Sequence, residues 1–347
     1  AARRRGDDRP AAIGRQRSRG RRPMTAALAA WLAPALGAES ARIDAMTPLA
    51  GGAIQETRAL DATLRGGPLD GRRSLVLRLD AASQLPVSHP RATEFRLLGI
   101  ARTAGVPVPE PLALCTDPAV LGRPFFVMRR VPGAADPRAL TVAPPSPGLA
   151  AALGRALAAL HAVRPPDERL DGLLPPPPAD PCRAEIARLR ALLDGLGAAV
   201  PALEWGLARL DATAPPPAAP ALCHRDFRTG NLMVHDDRLS AVLDWEFAGW
   251  SDPAADLGWL CAPCWRFNRP GLAAGGLGSR AELLAGYAET AAPPEAARLA
   301  WWEAAATARW TVIALLQAAR PEPSLELALT AHLAPELLLD LLEQTPP

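Results

Sequence analysis

The 347-residue sequence contains no lysine; all 38 of its cationic side chains are arginine. With so much Ala, Pro and Gly around them, this reads as coding bias. Its chemical consequence is that any fixed positive charge offered to a phosphate comes as a planar guanidinium fork and not as a compact ammonium. The chain also lacks a disulfide framework: Cys115, Cys182, Cys223, Cys261 and Cys264 are its five cysteines, which suits a reducing, cytoplasmic setting. Cys261 and Cys264 form a lone C-x-x-C with no second pair of ligands nearby, so they read as two small helical residues and not as a metal or redox site. No stretch reaches the ~20 apolar residues of a membrane span, and no internal repeat is present.

Positive charge is concentrated at one end. Residues 1–23 carry nine Arg against Asp7 and Asp8, which leaves 29 Arg and 34 acids elsewhere, a net of −5. A body of that sign excludes an electrostatic case for nucleic acid. The basic stretch has no apolar period and is expected to be a disordered tail. The sequence opens on Ala and its first Met is Met24, so residues 1–23 read as translated upstream sequence and not native protein. "MTAALAAWLAPALGAES" after a double arginine imitates a signal peptide; the preferred reading is an N-terminal helix over 24–44.

At 49% apolar and 21% charged residues the chain is expected to bury a sizeable core and to form two lobes. Residues 45–131 read as an α+β N-lobe, with extended segments around "SLVLRLD" (74–80), "VPVPEPLAL" and "PFFVMRRV" and a helix over "ATEFRLLGIARTAG". Residues 132–347 read as a mostly helical C-lobe, punctuated by Pro-rich loops at 142–148, 173–181 and 212–220. Its one β-rich island is a hairpin over 231–244.

That hairpin carries the chemistry. Phosphoryl transfer needs a base for the attacking hydroxyl, ligands for Mg²⁺ and cations on the phosphates. "HRDFRTGN" sets Asp226 five residues before Asn231, the lettering of a kinase catalytic loop, and Asp244 follows 13 residues later at a strand end. Asp226 is then the expected base, Asn231 and Asp244 the metal ligands, and Arg228 a cation for the γ-phosphate. Upstream, Gly51 and Gly52 form a turn that could lie over phosphates. Arg78 sits mid-strand where a kinase places its phosphate-binding Lys, and Glu94 opens the next helix as its ion-pair partner. "FFVMRRVPG" reads as the hinge, with backbone near Met128 and Arg129 available to the adenine edge.

"LCHRDFRTGNLMVHDDRLSAVLDWEFAGWSDPAADLGWL" resembles the aminoglycoside phosphotransferase and choline kinase-like family, through its H-x-D-x-x-x-x-N, V-L-D-W-E and D-P-x-x-D-L segments. The resemblance covers roughly 45–345 and implies a protein-kinase-like fold, ATP and Mg²⁺ as cofactors, and a small-molecule hydroxyl as acceptor. It further implies that His224 and Asp256 brace the catalytic loop. His161 also matches a family helix, but reads better as a core or capping histidine. "RSLVLRLD", "PFFVMRRVPG" and "DWEFAGWSDPAADLGWLC" are most similar to the branch associated with acyl-CoA dehydrogenases, where Arg often replaces Lys, as Arg78 does here. Ser251-Asp252 departs from the Gly-Asp of many relatives.

For the acceptor, Trp245, Trp250, Trp259 and Trp265 could cage a cation, though each reads first as a core residue. No acidic cluster lies between 255 and 280, where Arg266 and Arg269 sit instead. This argues against a polycationic antibiotic and for an anionic acceptor; the branch resemblance implies a hydroxyacyl-CoA or related hydroxy acid, with a functional link to an acyl-CoA dehydrogenase. The alternatives are an aminoglycoside- or choline-type kinase and a non-catalytic nucleotide-binding protein. No activation-loop pattern with A-P-E follows Asp244, where the chain runs straight into "SDPAADLGWL", which disfavours a protein substrate.

Overall fold

The computed structural model describes residues 16–49, 56–80, 88–320 and 325–343, with side chains from residue 24 onward. Contacts divide the chain into two units: the first comprises 1–86, 90–95 and 111–130, the second 87–89, 96–110 and 131–347.

The first unit opens on helix α1 (Gln16–Ala35), which begins inside the stretch expected to be a tail. The helix expected over 24–44 ends early, because Gly37 turns left-handed at φ 67°. There the amides of Gly37 and Ala38 bond back to Pro34 and Ala33, which closes the last turn. Strand β1 (Ser40–Pro48) starts at once, followed by β2 (Glu56–Arg65) and β3 (Gly71–Leu79). Residues 91–95 of helix α2 (Arg91–Thr103), whose remainder belongs to the second unit, with β4 (Pro111–Cys115), the short α3 (Pro118–Leu121) and β5 (Phe125–Arg129), complete the set. The five strands form one antiparallel sheet in the order β1-β2-β3-β5-β4.

Spacing in α1 explains its packing. Leu28, Leu32 and Leu36 recur every four residues, so they share one face. That face lies in a core with Leu60, Leu64, Leu75, Leu77, Phe125 and Val127 of the sheet. Trp31 meets Phe125 edge-on at 4.7 Å between ring centres. Burial of each such side chain contributes roughly 1.5–3 kcal/mol.

The second unit is helical apart from two small β elements. Its helices are α4 (Pro137–Val142), α5 (Leu149–His161), α6 (Pro181–Leu196), α7 (Pro201–Ala212), α8 (Ala254–Cys261), α9 (Arg280–Ala288), α10 (Ala296–Ala318) and α11 (Leu325–Glu343). Strands β7 (Leu232–His235) and β8 (Arg238–Val242) make the expected hairpin, and their turn residues Asp236 and Asp237 both take positive φ. A second pair, β6 (Ala221–Cys223) with β9 (Gly249–Ser251), was not legible in the pattern, because three-residue strands carry no measurable alternation.

Two glycines let α5 and α9 approach closely. A Cβ on Gly154 would stand 2.0 Å from the carbonyl oxygen of Leu283, and one on Gly286 would stand 2.0 Å from that of Ala151. This crossing positions His161, at the end of α5, against Tyr287 of α9. Gly154→Ala is therefore expected to force the pair apart and lower stability by about 1–3 kcal/mol, measured as a shift in the thermal melt.

Candidate active site

The catalytic-loop residues leave β6 in an order fixed by one buried acid. Asp256, in the first turn of α8, is fully buried. Its Oδ2 accepts the backbone N–H of His224 at 2.7 Å, and its Oδ1 accepts that of Arg225 at 2.7 Å. His161 Nε2 donates to the same Oδ2 at 3.2 Å, while Nδ1 faces the Tyr287 hydroxyl at 3.0 Å. Burial alone would push the Asp256 carboxyl up. Hydrogen bonding and charge from His161, with the His224 backbone N–H adding a further bond, outweigh it and hold the carboxyl below its ordinary value.

Arg225 pays for that grip with a left-handed backbone, φ 63°. His224 is pinned as well. Its Nε2 donates to the carbonyl of Leu243 at 2.9 Å, so Nδ1 is left as acceptor for the Asp226 N–H at 3.2 Å. The loop is thus tied both to α8 and to the residue before Asp244.

These ties present the Asp226 carboxylate, which is 7% exposed, to a ring of donors. Trp259 Nε1 donates to Oδ1 at 3.0 Å, and Arg228 Nε reaches both oxygens at 3.2 and 3.3 Å. Asn231 Nδ2 donates to Oδ2 at 2.6 Å and to the Asp226 carbonyl at 2.9 Å. With its amide hydrogens committed, Asn231 keeps its side-chain oxygen as an acceptor. Leu243 N–H bonds the Asn231 carbonyl at 2.8 Å, so the hairpin sets Asp244 beside Asn231. Asp244 also has positive φ, 67°. An amide oxygen and a carboxylate are the hard donors that suit Mg²⁺.

In the first unit, Arg78 Nη2 lies 2.8 Å from Glu94 Oε1, with side-chain exposures of 11% and 1%. Sequence reasoning missed a second cation there: Arg91 binds the other oxygen of Glu94, and its Nε contacts Asp80 at 3.1 Å. The signal available was the i, i+3 spacing of Arg91 and Glu94 on α2. Met128 and Arg129 lie within β5, paired with Val76 and Leu75, and not in the connection that follows it. Gly51 and Gly52 lie outside the described residues.

Two expectations are corrected. Arg266 does not offer a free cation to an acceptor: it binds Glu303 and the Cys261 carbonyl, while Arg269 bonds the carbonyls of Ala143 and Gly276. Glu303 stands 37 positions from Arg266 in the sequence, so no local pattern showed the pairing. Among the described residues, His161, Cys223 and Asp256 form a cluster of metal-ligating types, but each is already bonded within the protein. Burial, first, and the neighbouring carboxylates keep the Cys223 thiol well above its ordinary value, the wrong state for a metal ligand. In the C-x-x-C, Cys261 closes α8 and Cys264 lies in the turn beyond it. Burial pushes the Cys261 thiol up to about 12 and that of Cys264 higher still.

A sequence model described as the phosphotransferase enzyme family matches residues 45–302, the stretch that holds every site residue above. The chain belongs to that family. In the phosphotransferase family, a Ralstonia eutropha protein assigned by name as an aminoglycoside phosphotransferase superposes with a TM-score of 0.69 at 22% identity, covering 93% of this chain and 99% of its own. A thermostable mutant of an aminoglycoside phosphotransferase, solved as a ternary complex with AMP-PNP and hygromycin B, gives 0.57 at 17% identity, covering 87% of this chain and 94% of its own. The fold is accordingly α+β and protein-kinase-like. The mouse protein "Acyl-CoA dehydrogenase family member 10" is 32% identical over 197 residues, which is 54% of this chain and 18% of that protein. The chain therefore matches only about a fifth of that relative's length. Among the described residues, no helix is long and apolar enough to cross a membrane.

Proposed function

We propose that this phosphotransferase moves the γ-phosphoryl group of ATP to a hydroxyl of a small molecule, in a magnesium-dependent reaction. The observation that carries the reading is the Asp226 carboxylate, buried and oriented by donors on both oxygens, on a loop whose Asn231 is bonded through its carbonyl to Leu243, the residue before Asp244. The acceptor oxygen attacks the γ-phosphorus as its proton passes to Asp226. The bond to the β–γ bridging oxygen breaks, and ADP leaves with that electron pair. Asn231 and Asp244 would hold Mg²⁺, which supplies charge neutralisation on the phosphates. Arg228, 30% exposed and 4.9 Å from the Trp265 ring, would turn from Asp226 to the transferred group. Arg78, held by Glu94, would bind nucleotide phosphates, with the backbone at Met128 and Arg129 reading the adenine edge.

For the acceptor we propose a hydroxyacyl-CoA or related hydroxy acid, with an acyl-CoA dehydrogenase as functional neighbour. With Arg266 and Arg269 engaged internally, that choice is supported by the name of the mouse relative and not by a cationic pocket. Free cysteines throughout the described residues favour the cytoplasm as its location.

Mg·ATP is expected to raise the melting temperature and to be hydrolysed slowly. Asp244→Ala is expected to abolish both effects. Incubation with ATP, Mg²⁺ and a hydroxyacyl-CoA panel then tests the acceptor; no phosphorylated product from any member would sink that assignment. Nucleotide binding with no turnover would point to a non-catalytic protein.

A further inference from the structure

The last torsion of an aspartate is soft, so a carboxylate that must receive a proton along one line needs a fixed donor on each oxygen. Asn231, 5% exposed, is the fixed donor on Oδ2 of Asp226. Arg228 reaches both oxygens from a flexible, partly exposed stem and cannot serve as a rigid reference. The fixed donor on Oδ1 is the indole N–H of Trp259, a residue only 2% exposed.

Trp259 is itself held. Its ring meets Trp265 edge-on at 5.2 Å, and the Arg309 guanidinium lies over its face at 4.3 Å. Glu185 stands 4.0 Å from Arg309 and 3.7 Å from Arg225, so one acid beneath the loop is shared by the cation on the indole and by the residue preceding Asp226. A cation over an indole draws electron density from the ring and makes its N–H a stronger donor. Helix α8 thus grips the loop twice on one face, through the Asp256 carboxylate and, three residues on, through Trp259.

We propose that Trp259 is a positioning residue for acceptor deprotonation: its N–H fixes the plane of the Asp226 carboxylate so that the proton-accepting lone pair faces the acceptor hydroxyl. This rests on Asp226 being the base. A buried indole that had merely found an acceptor would affect stability and not turnover.

The two are separated by replacing Trp259 with β-(3-benzothienyl)alanine, which keeps the ring's shape and exchanges N–H for sulfur, with Trp259→Phe as a second variant. Hydrolysis of Mg·ATP, with water as acceptor, is the activity probe. The expected result is a fall in kcat of about tenfold to a hundredfold with KM for Mg·ATP unchanged. In ¹⁵N–¹H spectra, the indole resonance lost in Trp259→Phe should lie downfield in the wild type and move upfield in Asp226→Ala. Wild-type kcat in the isosteric variant, or an indole resonance indifferent to Asp226→Ala, overturns the role of Trp259 and leaves the phosphotransferase reading standing. No hydrolysis by the wild type, under conditions where the resonance does respond, overturns the phosphotransferase reading instead, and with it this role.

Discussion

Asp226→Asn is expected to lower phosphoryl transfer about a thousandfold, within the usual range for loss of a general base. The substitution removes the proton acceptor and nothing of the chain's volume, so substrate binding should survive. It also has a structural cost that the geometry makes explicit. One oxygen of Asp226 accepts from Trp259 and the other from Asn231. An amide in that place must turn its NH₂ towards one of them, donor against donor in a buried site, at about 1–3 kcal/mol. Initial rates of ³²P transfer from labelled ATP, beside thermal melts and nucleotide affinity, separate the two effects. Asp226→Ala should show a similar rate loss. Activity within tenfold of wild type in either variant would remove Asp226 from the role of base.

What could be read beforehand follows from how local each signal is. The spacing from Asp226 to Asn231 and Asp244 is a matter of one loop and one hairpin, and the structure brings those residues to adjacent positions through the Leu243–Asn231 bond. The mostly helical character of 132–347 was legible because an apolar period sustained over several turns, as in 149–161, 181–196, 296–318 and 325–343, is hard to mistake. The start of α1 was not legible, since composition alone marked residues 16–23 as unfit to fold, yet they continue a helix whose later turns bury Leu28 and Leu32. Site residues whose partners lie far away in sequence were also out of reach. Trp259 meets Asp226 across 33 positions and Arg266 meets Glu303 across 37. Only topology places such partners together. Trp259 was half-visible, because a residue three positions after a loop-bracing acid on a helix shares its face and an indole N–H seeks an acceptor.

Asp256→Ala should be the most destabilising single change near the site, by roughly 3–5 kcal/mol, because it removes a buried carboxylate that two backbone N–H groups and His161 bond. The backbone N–H groups of His224 and Arg225 would be left unbonded, and His161 would lose its contact at Nε2. Denaturant unfolding gives the magnitude. Acid gives the mechanism. The Asp256 carboxyl is held below its ordinary value, since hydrogen bonding and charge from His161 and the backbone N–H of His224 overcome the upward push of burial. A depressed folded-state pKa contributes stability that is fully present above the unfolded value, about 3.9, and is lost as pH falls through the lower folded one. The stability gap between wild type and Asp256→Ala should therefore be constant at neutral pH and narrow below about pH 4. A gap that stays constant into acid would mean that the carboxylate's charge is not what ties the loop to α8. In that case shape alone would hold Arg225 in its left-handed turn, and Asp256→Asn should then restore most of the lost stability.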